Sequence, residues 1–135
     1  MSLDILIVDD EEMLRKLEKR YIMNFMKKND ISDYAIDTAE YGQQAVDKIK
    51  TKQGKYDLIV LDVRMPGEFS GLDVYQFIKQ NFAGQTEAVL WVTGYADDLE
   101  NFFNSRNIPH ITKPFDIQIF HSKIKKYLID TEKKF

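Results

Sequence analysis

Short apolar runs alternate along this chain with longer stretches in which apolar residues recur every three or four positions. Ile5-Leu6-Ile7-Val8 is a continuous branched run that stops at Asp9-Asp10-Glu11-Glu12, the pattern of a strand covered on both faces. From 12 to 29, Leu14, Leu17, Tyr21 and Phe25 fall at helical spacing, predicting an amphipathic helix with those residues inward. Acidic residues at its start suit the helix dipole. A strand is then predicted over 34–39, and a helix over 42–50 with Ala45, Val46 and Ile49 inward, closed by Gly54. A core strand over 58–61 follows, then a loop at 66–71 and a helix to about 81 with Leu72, Tyr75, Ile78 and Phe82 on one side. The remaining units are a strand over 88–92, a helix over 96–106 carrying Leu99, Phe102 and Phe103, and a short strand at 110–111. A last helix is predicted over 115–128, with Ile117, Phe120, Ile124 and Tyr127 inward.

Five such alternations predict an α/β fold: a doubly wound, flavodoxin-like, five-stranded parallel sheet in the order 2-1-3-4-5 with helices on both faces. The length of 135 residues suits one domain, expected over 1–128 with a Lys-rich tail at 129–135 and no output domain in this chain. With 44% hydrophobic and 30% charged residues the composition is globular. A formal charge of -3 removes the broad positive field that nonspecific nucleic-acid binding needs, so no direct nucleic-acid partner is expected. The absence of cysteine excludes disulfides, thiolate metal sites and cysteine nucleophiles, and fits a reducing cytoplasm. No apolar run approaches the roughly 20 residues that cross a bilayer. Asp4, Asp9 and Asp10 also interrupt any N-terminal signal segment, so a cytoplasmic, membrane-free protein is expected.

In a parallel sheet every strand's C-terminal end opens on one edge, where ligands bind at the point of strand-order reversal. The first strand ends in Asp9-Asp10, the third in Asp62 and the fourth in Thr93, while Lys113 follows the fifth. Three carboxylates, a hydroxyl and an ammonium on one rim call for a cation, and hard oxygen donors select magnesium. Each residue also has a plainer reading. Asp9 or Asp10 could cap the first helix, with Glu12 completing a capping box. Thr93 is an ordinary strand residue before Gly94, and Lys113 before Pro114 is unremarkable taken singly. Asp62 is harder to explain that way, because a carboxylate at the end of an apolar run needs a partner.

The motifs Ile5-Leu6-Ile7-Val8-Asp9-Asp10-Glu11, Asp57-Leu58-Ile59-Val60-Leu61-Asp62-Val63-Arg64-Met65-Pro66, Val92-Thr93-Gly94 and Thr112-Lys113-Pro114-Phe115 resemble those of the receiver domains of two-component response regulators. The resemblance covers nearly the whole chain. It implies that Asp62 is a phosphoacceptor taking a phosphoryl group from a phosphohistidine of a sensor histidine kinase or phosphotransfer protein. It implies a magnesium ion held by Asp10 directly, Asp9 through water, Asp62, and the backbone carbonyl of Arg64. Lys113 and Thr93 would contact the phosphate, Thr93 acting as the switch, and the chain would be a signalling switch and not an enzyme. The face made by the fourth helix, fifth strand and fifth helix is where such domains dimerise or dock partners, and Phe102 or Phe103 could contribute to it. The lysine-proline bond at Lys113-Pro114 is expected to be cis.

Three departures from the family pattern stand out. His110 occupies the place of the aromatic residue that follows the switch threonine, and reads either as a half-exposed edge-strand histidine or as a pH-sensitive relay. Arg64 and Tyr95 are bulky residues flanking the path of hydrolytic water, which predicts a long-lived phosphorylated state. The loop at 66–71 is one residue longer than is common. The rival readings are a degenerate receiver serving as an interaction module, a flavin binder, and a phosphohydrolase. Acidic residues after the first strand would repel a flavin phosphate, and the aspartate pair is adjacent where the hydrolases space it two apart.

Overall fold

The computed structural model describes residues 2–65, 67, 69–94 and 99–129, the side chains of 99 and 100 excepted. Five strands, β1 (Leu3–Val8), β2 (Tyr34–Ala39), β3 (Leu58–Asp62), β4 (Val89–Thr93) and β5 (His110–Thr112), form one parallel sheet in the order β2-β1-β3-β4-β5. Helices α1 (Glu12–Lys28), α2 (Gly42–Thr51), α3 (Gly71–Asn81), α4 (Leu99–Ser105) and α5 (Ile117–Leu128) connect and follow them. This is the expected doubly wound architecture. The tail beyond residue 129 and Tyr95 lie outside the described residues, whereas Ile129 still packs against the core.

Period-two alternation sorts the strand residues into two cores. Leu6, Val8, Ile59, Leu61, Val89 and Trp91 pack with Ala45, Ile49, Val74, Ile78 and Phe103 of α2, α3 and α4. Ile5, Ile7, Leu58, Val60, Leu90, Val92 and Ile111 pack with Ile22, Phe25, Met26, Phe120 and Ile124 of α1 and α5. β3 and β4 are buried throughout, as central strands covered on both faces must be. The register pairs Val8 with Leu61 and Asp62 with Val92, so the ends of β1, β3 and β4 come level at one rim.

Several local expectations are corrected. The buried stripe of α1 is Glu18, Ile22, Phe25 and Met26, while Leu14, Leu17 and Tyr21 are only half-buried. Aromatic packing from the α5 side explains the rotation: Tyr21 lies 6.4 Å from Phe115 and 5.7 Å from Phe120, on the flank of the helix. Leu72 is exposed, and Val74 takes the inward position on α3. Neither Asp9 nor Asp10 caps α1, whose N-cap is Glu11. A 3-10 segment at Ala83–Ala88, not anticipated, carries Gln85 into the interior, where its amide bonds both the N–H and the C=O of Tyr56 at 2.8 Å.

The start of α3 is wedged against the end of β3. Gly71 N–H donates to the Val63 carbonyl at 3.1 Å, and a Cβ at residue 71 would overlap the Asp62 carbonyl oxygen and come within 2.9 Å of that of Val63. Both obstacles are backbone. Gly71→Ala is expected to lower stability by about 2 kcal/mol, as overpacking in a rigid core does. A urea midpoint equal to that of the native chain, at equal slope, would refute the contact.

Candidate functional site

The rim gathers the predicted residues. Asp9, at the end of β1, is 1% exposed, and its backbone continues the ladder through a 3.1 Å bond from its N–H to Ala39. Its Oδ1 accepts the Glu11 N–H at 2.9 Å, while Oδ2 has no hydrogen bond and lies 3.6 Å from Lys113 Nζ. Asp62, 4% exposed at the end of β3, accepts the Arg64 N–H on Oδ1 at 3.3 Å and faces Lys113 Nζ on Oδ2 at 3.4 Å. Asp10 is exposed beside them, and ligand oxygens of Asp9, Asp10 and Asp62 fall within 4.8 Å of one another. Thr93 is fully buried with an unpartnered Oγ1. Its carbonyl accepts the Lys113 N–H at 2.8 Å, which holds the cis Lys113-Pro114 turn against the end of β4.

One ammonium is left to offset three carboxylates. Burial, reinforced by the Asp9 charge and opposed by Lys113, pushes the Asp62 carboxyl up to about 6. Burial also raises Asp9, against the bond from Glu11 N–H and the charge of Lys113. Burial pulls Lys113 down, but the carboxylates of Asp62 and Asp9 outweigh it and hold the amine above its ordinary value. A buried, unpartnered carboxylate oxygen within reach of two further carboxylates is the donor set of a hard divalent cation, and the residues present fit one.

The other expected residues are less central. The Arg64 side chain is exposed, its N–H engaged by Asp62. His110 is half-buried, donates from Nδ1 to the Ile108 carbonyl at 2.8 Å, and packs on Phe103 with ring centroids 5.5 Å apart. Phe103 is core, and Phe102 is exposed under the Arg106 guanidinium, 4.0 Å from its ring. Tyr95 lies outside the described residues.

A family model for the response regulator receiver domain matches residues 5–125. This chain belongs to that family. Among curated relatives, it is 31% identical to the sporulation initiation phosphotransferase F of Bacillus subtilis, over 95% of each chain. It is also 31% identical to the transcriptional regulatory protein ResD of Bacillus subtilis, over 92% of this chain and 47% of that protein. The chain spans about half the length of several curated relatives it matches. A crystal structure of a response regulator receiver domain protein from Clostridium thermocellum superposes with a TM-score of 0.75 at 20% identity, covering 98% of this chain and 99% of that one. That likeness concerns the fold. Among the described residues of the receiver, no helix is long and apolar enough to cross a membrane.

Glu18 is one feature of this receiver that sequence reasoning missed. It is fully buried, with neither carboxylate oxygen hydrogen-bonded. Burial, with the charge of Asp9 adding to it, raises its carboxyl well above the usual glutamate range. Its position, four residues after Leu14 and four before Ile22, places a polar residue in an apolar helical row, a signal that was available. A folded-state pKa above the unfolded one adds stability below about 4.5 that is lost as pH rises towards the folded value. Glu18→Met is therefore expected to stabilise the receiver by roughly 2 kcal/mol at pH 7.5 and by much less at pH 4. Urea midpoints at the two pH values measure this, and an equal gain at both would contradict it.

Proposed function

We propose that this receiver takes a phosphoryl group onto Asp62 from the phosphohistidine of a sensor histidine kinase or phosphotransfer protein, and switches conformation to control a partner or output domain. The observation carrying this reading is the joint geometry of Asp62 and Thr93: a carboxylate at the rim, 3.4 Å from an ammonium, beside a buried hydroxyl with no partner. A carboxylate oxygen of Asp62 attacks phosphorus, the phosphorus-nitrogen bond breaks, and the departing imidazole takes up a proton. Asp9, Asp10, Asp62 and the Arg64 carbonyl would hold magnesium. The ion supplies charge neutralisation for the incoming phosphoryl group and in-line alignment of attacking and leaving atoms.

The chain's own residues do the rest. Lys113, already between Asp9 and Asp62, offers the new phosphate a compact positive charge. The Thr93 hydroxyl gains the acceptor it lacks, and the end of β4 follows it inward. Thr93 shares a strand face with Trp91, which stacks on Phe103 of α4 with ring centroids 5.5 Å apart, so a shift of β4 bears on that helix. His110, paired with Trp91 across β4 and β5, also packs on Phe103 and belongs to the same aromatic group. An apolar groove of about 470 Å³ between α1 and the start of α5, formed by Leu14, Leu17, Pro114 and Phe115, adjoins Lys113 and offers the phosphoryl donor a resting surface. Homodimerisation through α4, β5 and α5 is part of the proposal, with exposed Phe102 as its contact. So are a cytoplasmic location and a role as a switch that acts on no substrate beyond its own phosphorylation and dephosphorylation.

Incubation with magnesium and acetyl phosphate is expected to add one phosphate to the native chain and none to Asp62→Asn, read by intact mass. Thr93→Val should still accept phosphate but lose the accompanying change in the fluorescence of Trp91, the single tryptophan. Labelling of Asp62→Asn at the native rate would end the proposal. Arg64 and Tyr95 are proposed to shield the acyl phosphate. Arg64→Ala is expected to speed phosphate loss severalfold, and an unchanged decay would remove Arg64 from that role.

A further inference from the structure

Magnesium binding requires the Asp10 carboxylate to face the same point as those of Asp9 and Asp62, yet no hydrogen bond to another described residue holds its exposed side chain. Its direction therefore comes from the backbone. The peptide plane leading into Asp10 carries the Asp9 carbonyl, and because a peptide unit is planar, fixing that oxygen fixes where Asp10 begins. The oxygen accepts a 2.9 Å bond from Arg15 Nη1, one turn into α1. The second arm of the same guanidinium, Nη2, lies 3.3 Å from Glu40 Oε1 in the turn between β2 and α2. Glu40 is itself held, its N–H donating to Gln44 Oε1 at 2.6 Å. The Arg15 side chain is only 12% exposed, whereas that of Glu40 is 61% exposed. An ion pair so open to water contributes little to stability. What it does is orient the planar fork that grips the Asp9 carbonyl.

We propose that Arg15 is a positioning residue for the metal site: it clamps the Asp9-Asp10 peptide plane against α1 and the β2–α2 turn, and so presents Asp10 to the cation. The inference rests on the receiver reading above. It differs from a structural role in what it affects, because a clamp on a ligand's backbone changes metal affinity, and a support that acts outside the metal ligands typically changes it by about 10-fold or more.

The experiment is calorimetric titration of the unphosphorylated chain with magnesium chloride alone, at constant ionic strength, for the native protein, Arg15→Ala, Arg15→Lys and Glu40→Gln. Arg15→Ala is expected to weaken the magnesium Kd by about 10-fold. Arg15→Lys, a single point donor that cannot bridge both partners, should fall between it and the native chain. Glu40→Gln, which leaves the Arg15 bond to Asp9 in place, should weaken binding by about two- to threefold. The half-saturating magnesium concentration for labelling by acetyl phosphate should rise in step, and added magnesium should recover the deficit. An Arg15→Ala Kd within twofold of native overturns the proposal, as does a labelling deficit that saturating magnesium fails to recover, whatever the variant's melting temperature. Should Arg15→Ala not fold, Arg15→Lys decides: weakening of threefold or more supports the clamp, and native affinity overturns it. Absence of magnesium binding by the native chain would instead remove the metal-assisted reading, and the clamp with it.

Discussion

Everything at the functional end of this molecule follows from confining more negative charge than one lysine can offset. Asp9 and Asp62 are almost wholly out of water, and the ammonium of Lys113 stands 3.6 and 3.4 Å from them, with Asp10 close by on the solvent side. At an effective dielectric constant near 20, unit charges about 4 Å apart interact by about 4 kcal/mol. Two attractions of that size, from one ammonium, do not cancel the three pairwise repulsions among the carboxylates and also their desolvation. The imbalance pushes the Asp62 carboxyl up to about 6 and leaves the cluster in need of a cation. The sheet imposes the confinement, since its register brings the ends of β1, β3 and β4 level whatever those residues would prefer.

The pattern of satisfied and unsatisfied groups tells the same story. Away from the rim, and Glu18 apart, buried polar groups of the described residues have found partners: Gln85 bonds both backbone groups of Tyr56, the Tyr56 hydroxyl donates to Asp37 at 2.6 Å, and the Tyr127 hydroxyl donates to the Val89 carbonyl at 3.1 Å. Among the described residues, buried side-chain atoms without a partner come from Asp9, Thr93 and Glu18. Asp9 and Thr93 line the rim, and Glu18 feels the charges of Asp9, Lys113 and Asp62 from within the core. Orphaned polar groups are costly in an interior, so their concentration at one end of the sheet marks where the resting structure is incomplete. A cation and a phosphoryl oxygen would supply what Asp9 and Thr93 lack. Neither would reach a partner to Glu18 directly, which is why its burial registers as a cost to stability.

The sheet order and the rim residues were legible in the sequence because both depend on short-range pattern: an apolar run, an abrupt polar stop, and the rule that parallel strands end together. Where the outcome depended on which neighbour an element meets, the pattern was ambiguous. On α1 two overlapping rows, Leu14-Leu17-Tyr21-Phe25 and Glu18-Ile22-Phe25-Met26, both have helical spacing, and only the arrival of α5 on one flank makes the second the buried one. The 3-10 segment at Ala83–Ala88 has no periodicity to read, and Gln85 is fixed by a tyrosine 29 residues away. Arg15 escaped for the same reason, since its partners are a backbone carbonyl and a glutamate 25 positions on. His110, by contrast, stands half-buried on the edge strand, where the short run at 110–111 places it.

There is a general reason why the supports of such a site lie in the backbone. A carboxylate that is to ligate a cation has to keep lone pairs available, so every side-chain hydrogen bond used to aim it takes away part of what it is there to give. Asp9 and Asp62 each commit one oxygen to a backbone N–H two residues on, from Glu11 and Arg64, and turn the other towards Lys113. Asp10 commits neither oxygen to a described residue, and so it depends most on the geometry of the peptide before it. A guanidinium is suited to holding that peptide, because its charge stays fixed and its planar fork bonds a carbonyl and a carboxylate together without touching a ligand oxygen. In a site built from excess negative charge, Arg15 serves by gripping a carbonyl, which leaves the carboxylates to the ion.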